Sequence, residues 1–103
     1  TQEITNYDDP VDAYHDKTDS SLIKGLKMCR MNEDIGGFVT CGATGVVLIS
    51  SILILGKLNA TRPALSVVLN GRNDKPFCIV DCGANIDCKA DRFVDFARLG
   101  VAT

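Results

Sequence analysis

Asp81-Cys82-Gly83-Ala84-Asn85-Ile86-Asp87-Cys88-Lys89 decides how this chain is read. It follows the apolar run Phe77 to Val80 and precedes a stretch in which Phe93, Phe96, Ala97 and Gly100 recur at helical spacing. A strand that ends in a loop of Gly, Asp and Asn and then opens a helix is the form in which open α/β proteins gather anions and cofactors. A second junction of this form, Thr40-Cys41-Gly42-Ala43-Thr44-Gly45, follows the β-prone run Phe38 to Cys41 and leads into the largely apolar stretch Thr44 to Leu55.

Between the two junctions, Ala64 to Leu69 reads as a strand, Asn70 to Pro76 as a turn-rich connector and Phe77 to Val80 as a further strand. That last run is apolar without alternation, which predicts a mainly parallel sheet buried on both faces. Thr44 to Leu55 tolerates either period, but its length predicts a helix with Gly56 past its end. Being apolar all round, this helix needs cover on each face or a partner subunit. Upstream, Asp9-Pro10 supplies a cap and a first-turn proline for a short helix to about Asp16. Asp19 or Ser20 caps a second helix with Leu22, Leu26 and Cys29 on one face, ending near Asn32. A final helix is expected from about Ala90 to Leu99, stopped by Gly100.

With 103 residues, 46% hydrophobic and 23% charged, the chain is a globular piece with a packed core and no space for a second complete domain. The formal charge of −2 and the absence of a Lys/Arg cluster argue against a nucleic-acid partner. Val46 to Leu55, broken by Ser50 and Ser51, is far shorter than the ~20 residues of a membrane span. The chain opens on polar residues from Thr1 with no secretory pattern, and the missing initiator Met leads us to expect a trimmed or excised chain. Five cysteines with no CxxC pair read as reduced thiols, hence a cytoplasmic setting.

Neither junction is a Walker loop, and GxGxxG is absent, so their pattern alone also fits plain strand-to-helix turns with Thr44 as a cap. Asp81, Asp87 and Lys89 place two carboxylates and an ammonium in one loop, suited to substrate binding or proton transfer and equally to a solvated ion pair. Cys78, Cys82 and Cys88 lack the spacing of a structural zinc site, and His15, the sole histidine, is remote in sequence from any thiol it would activate. We expect no metal or other cofactor.

Asp8-Asp9-Pro10, Lys17, Asp19-Ser20-Ser21, the loop Thr40 to Gly45, Arg62-Pro63-Ala64-Leu65, Asp81 to Asp91 and Phe96-Ala97 stand in an order and spacing that resemble the central portion of PlsX-type phosphate acyltransferases. The resemblance covers nearly the whole chain and makes it a single partial domain, residues 1–103. It implies a partial Rossmann-like three-layer α/β/α fold of the isocitrate/isopropylmalate-dehydrogenase kind. It further implies acyl transfer from acyl-acyl-carrier protein to inorganic phosphate in phospholipid synthesis, a homodimer and peripheral membrane association. Under that reading Gly42, Thr44 and Gly45 cradle phosphate, with Lys17, Ser20 and Ser21 as a further substrate cluster. Asn85 and Lys89 orient or neutralise substrate oxygens, and Asp81 anchors their loop. Ala43 stands where the family loop usually has Asn, His15 where Arg is usual, and Ala90 where Pro is usual. The family's Asp-Ala-Met-Gly-Gly-Asp segment and its C-terminal part have no counterpart here. Two alternatives stay open: a non-catalytic module that self-associates or binds a partner through the apolar helix, and the same architecture with a dinucleotide or hydroxy-acid substrate.

Overall fold

A computed structural model describes residues 1–58 and 61–103. They form two compact units, Thr1–Lys57 and Leu58–Thr103.

The first unit is built from three helices, α1 (Pro10–Asp16), α2 (Ser21–Met31) and α3 (Thr44–Ile54). Asp9 caps α1, its carboxylate accepting from the N–H groups of Val11 at 2.8 Å and Asp12 at 3.1 Å, and Pro10 occupies the first helical position where no donor is needed. Ser20 caps α2 by accepting from Ile23 N–H at 3.4 Å. Ala13 of α1, Leu22, Ile23 and Leu26 of α2, Ala43, and Val46 of α3 close into one buried cluster, with Ile4, Tyr14, Val47 and Ile54 packed at its margin. On α2 the buried face thus runs through Ile23 instead of Cys29, which is only partly covered. α3 is apolar all round but buries only Val46 and Ser50 completely, leaving Leu53 and Leu55 exposed. It ends at Leu55, and Gly56 follows with φ +90°, a left-handed conformation that favours glycine.

Phe38 to Cys41, expected as a strand, pairs with nothing among the described residues. β-propensity is satisfied only where a neighbouring strand offers a ladder. Here the Phe38 ring lies over Gly25 of α2, where a Cβ would stand within 2.7 Å of three ring carbons.

The second unit holds β1 (Ser66–Asn70), β2 (Pro76–Val80) and α4 (Arg92–Ala102). The strands pair antiparallel with Ser66 opposite Val80 and Val68 opposite Cys78. This corrects the expected mainly parallel pairing for the strands described: the connector Gly71 to Lys75 can only turn the chain back, whereas a parallel crossover needs a dozen residues or more. It closes with Gly71 N–H donating to Lys75 O at 2.8 Å around a short 3-10 turn, with Asn73 and Asp74 at φ 64° and 55°. Nor are the strand faces buried: Val67, Val68, Leu69, Phe77 and Ile79 are all exposed.

Gly100 does not stop α4, which runs on to Ala102. A Cβ at Gly100 would meet Val80 of β2 at 3.5 Å, so the glycine sits inside the helix where it packs on the sheet. The helix also starts later than expected, after i→i+3 turns in which Arg92 N–H donates to Lys89 O and Phe93 N–H to Ala90 O. Of its expected apolar face only Phe96 is buried, and Phe93 stays 61% exposed with its ring edge-on to Phe96. No helix among the described residues is long and apolar enough to cross a membrane.

Candidate functional site

In the first unit, Ser20, Ser21 and Gly42 line one open cleft of about 420 Å³, together with Gln2, Leu22 and Thr40. Gly42 is required by close approach: a Cβ there would lie 2.9 Å from Leu22 Cδ1 and 3.2 Å from Thr40 Oγ1. Its N–H donates to Thr40 Oγ1 at 3.1 Å, so that amide is already engaged. Ser20 is 2% exposed and its oxygen serves the α2 cap, while Ser21 opens the helix at an exposed position.

Past Gly42 the chain enters α3 without a side-chain cap. Ala43 stands at the cap position with φ −59° and ψ 119°, and its methyl group accepts nothing. Among the described residues no acceptor faces the first-turn N–H groups of Thr44, Gly45 and Val46, whereas α1 and α2 are both capped. Thr44 is thus the first helical residue, not the cap, and its exposed hydroxyl stands beside these free amides. Gly45 also has a packing duty, since a Cβ there would approach Pro10 Cγ of α1 at 3.0 Å.

Lys17 is committed elsewhere. Its ammonium donates to both carboxylate oxygens of Asp8 at 2.8 Å and to Glu3 O at 2.7 Å, which ties the N-terminal segment to the end of α1. The Lys17 hydrogen bond is the main reason the Asp8 carboxyl is held below its usual pKa, helped by Thr5 N–H. With three acceptors in place, the Lys17 ammonium has no donor left over for an anion.

In the second unit the organising group is Asp81. Its carboxylate accepts from Leu65 N–H at 3.0 Å, Ala84 N–H at 3.0 Å, Asn85 N–H at 2.7 Å and Asn85 Nδ2 at 2.8 Å. Burial pushes the Asp81 carboxyl up, but the Leu65 amide, the Asn85 side chain and the Ala84 and Asn85 amides together outweigh it and leave the group lowered. The ionised carboxylate thereby folds the loop back on itself and fastens it to the residue before β1, where Cys82 N–H also donates to Leu65 O at 2.9 Å. Asn85 extends the web by donating to Pro63 O at 2.9 Å and accepting from Arg62 Nε. Lys89, four residues further on, is exposed and has no ion pair among the described residues, and Asp87 is exposed as well, so the two do not bridge.

Arg62 and Asp8 stand in the runs that carry the family resemblance, but the sequence gives no role to Arg62 as a member of this web or to Asp8 as the partner of Lys17. The short side chain of Asp81 at offsets of three and four from two amides was a legible signal for the loop, since Asx residues bond main-chain groups at that range. Arg62 lies 23 residues from its acceptor, and nothing local marks it. All five cysteines are free thiols. No group of three His, Cys, Asp or Glu side chains comes together as a metal site among the described residues.

The sequence pattern of the family described as "Fatty acid synthesis protein" matches residues 1–103. Among similar proteins is a phosphate acyltransferase of Clostridium novyi (strain NT), 40% identical over 98 residues, which is 94% of this chain and 29% of that protein. The phosphate acyltransferase of Clostridium tetani (strain Massachusetts / E88) is 38% identical over the same shares. That of Petrotoga mobilis (strain DSM 10674 / SJ95) is 42% identical over 82% of this chain and 26% of its own length. The chain therefore spans less than a third of the length of these relatives. With every residue inside the matched range, the chain belongs to the fatty acid synthesis protein family that includes the phosphate acyltransferases.

Proposed function

We propose that the protein carrying this chain transfers an acyl group to inorganic phosphate, in keeping with the name phosphate acyltransferase that its relatives carry, with acyl-acyl-carrier protein as the donor that the family resemblance implies. The observation that carries the reading is the uncapped start of α3 within a chain of this family. The amides of the exposed Thr44 and Gly45, the positive end of an eleven-residue helix and the Thr44 hydroxyl suit a phosphate dianion. Lys89 is the free cation of the second junction and neutralises substrate oxygens there. The family reading gives Ser21 and the Gly42 cleft a substrate-facing role, while Lys17 and Ser20 hold that region together.

Phosphate is its own nucleophile in this reaction. One of its oxygens attacks the thioester carbonyl carbon, the C–S bond breaks, and the proton of hydrogen phosphate passes to the departing thiolate. The protein's part is to position the reactants and to stabilise the oxyanion, which amides and cations do without a covalent intermediate or a cofactor.

The apolar residues exposed on both faces of the β1–β2 hairpin support a larger sheet with layers on either side, hence a Rossmann-like three-layer α/β/α fold in the longer protein. A cytoplasmic homodimer with peripheral membrane contact completes the reading by family likeness. Self-association through α3 is the second reading, favoured by exposed Leu53 and Leu55. The experiment is an acyl phosphate assay on the full-length protein with Thr44→Val and Lys89→Ala. We expect each to raise KM for phosphate about tenfold. A full-length protein that assembles by size-exclusion chromatography yet forms no acyl phosphate would favour the second reading.

A further inference from the structure

Asn85 has no free donor for a substrate. Its two Nδ2 hydrogens go to Pro63 O at 2.9 Å and Asp81 Oδ2 at 2.8 Å, and its main-chain N–H goes to Asp81 Oδ2 at 2.7 Å. Two acceptors facing Nδ2 fix the amide's orientation, which leaves Oδ1 turned to Arg62 Nε. The side chain is therefore a bridge between the Asp81 loop and the Arg62-Pro63 segment.

The other end of this bridge is a guanidinium with its charge unanswered. Arg62 is exposed, and no carboxylate lies within ion-pair distance among the described residues. Of its five N–H groups only the one on Nε has an acceptor there, so the four on the two terminal nitrogens are open. An ordinary surface arginine loses much rotamer freedom when it grips a ligand. This one is held at Nε by a side-chain amide that is itself held by two hydrogen bonds, on a residue whose main-chain N–H makes a third, and the proline that follows fixes the next φ. A planar, pre-positioned pair of donors with permanent positive charge matches two oxygens of a phosphoryl group.

We propose that Arg62 is a phosphoryl-binding residue of the second unit and that Asn85 is its positioning residue. The proposal rests on the acyl-transfer reading and moves Asn85 from contact with substrate to control of the residue that makes it. Lys89, on the same loop, is a separate cation without such a support.

The test uses steady-state kinetics of the full-length protein, titrating phosphate and acyl-acyl-carrier protein separately. Arg62→Ala should raise KM for phosphate about tenfold or more, leave KM for the acyl carrier within about twofold, and recover part of its phosphate affinity when guanidinium ion is added. Arg62→Lys should recover less than the added ion does, since an ammonium cannot keep the Asn85 contact and present a fork together. Asn85→Leu should weaken phosphate in the same direction, and the double variant should be no worse than Arg62→Ala alone. Unchanged phosphate KM in Arg62→Ala, a rise confined to the acyl carrier, or additive losses in the double variant would overturn the proposal. If Asn85→Leu does not fold, the Arg62 arms and the guanidinium rescue still decide. A wild-type protein that consumes no thioester in the presence of phosphate defeats the acyl-transfer reading instead. Calorimetric titration of wild type and Arg62→Ala with inorganic phosphate then decides the present one: equal affinities overturn it, and weaker binding by the variant supports it.

Discussion

Asn85 is joined to Asp81 twice through the same carboxylate oxygen, by its main-chain N–H at 2.7 Å and by its side-chain amide at 2.8 Å. The second contact would be lost to almost any other residue at this position, and the first requires the loop to be folded back. Both depend on an ionised Asp81.

That dependence has a sign in pH. The Asp81 carboxyl is lowered in the folded chain relative to the unfolded value of about 3.9, so its contribution is present in full above that value and is lost as pH falls through the folded pKa. Asp81→Asn should cost about 2 kcal/mol near neutral pH, because amides that meet a charge there meet a neutral and partly wrong-facing group instead. Urea unfolding of wild type and variant at about pH 7 and about pH 3 should show the gap closing on acidification. An equal gap at both would sink the assignment.

Ser50 lies wholly buried in α3 with its hydroxyl oxygen lacking a hydrogen-bond partner among the described residues. A buried polar group without a partner is destabilising, and the methyl group of alanine fits where the serine Cβ already stands. Ser50→Ala should raise stability by about 1 kcal/mol, seen as a higher thermal midpoint. A lower one would mean that the hydroxyl has an acceptor in solution.

Ala43 has the backbone geometry of a cap without the side chain of one. Ala43→Ser adds a single oxygen at a tightly packed site and should contribute about 1 kcal/mol by accepting from the first turn of α3. Because that oxygen competes for amides assigned to phosphate, the same variant should bind phosphate more weakly while melting at higher temperature. Differential scanning calorimetry with and without phosphate measures both effects.

Gly45 carries two duties that can be separated. Gly45→Val places a branched side chain against Pro10 of α1, which approaches to 3.0 Å of a bare Cβ, and should cost about 2 kcal/mol by overpacking. Restoring space with Pro10→Ala should return part of that stability. If it does not, the strain lies in the helix start instead of the α1–α3 contact.

Much of the local structure was written in short-range chemistry. Asp9 before Pro10, Ser20 before an amphipathic run and Gly56 after an apolar one each placed a helix end within a residue or so of where it falls. The hairpin is legible too, in a connector from Gly71 to Lys75 that is too short for a parallel crossover whatever the unbroken apolar character of the strands. That character led to an expectation of parallel pairing because it records burial, and pairing direction is a matter of connection length.

The sequence by itself determined the caps of α1 and α2, the glycine that follows α3, the turn residues of the hairpin and the family, since each rests on neighbours within a few positions or on motif order along the chain. Only the tertiary structure decided that Phe38 to Cys41 stays unpaired, that Gly100 packs inside a helix against Val80, that Lys17 is spent on Asp8 and Glu3, and that Asn85 reaches Arg62. Each of these depends on what a distant part of the chain places within van der Waals or hydrogen-bond reach. That is set by packing, and no periodicity or local propensity encodes it.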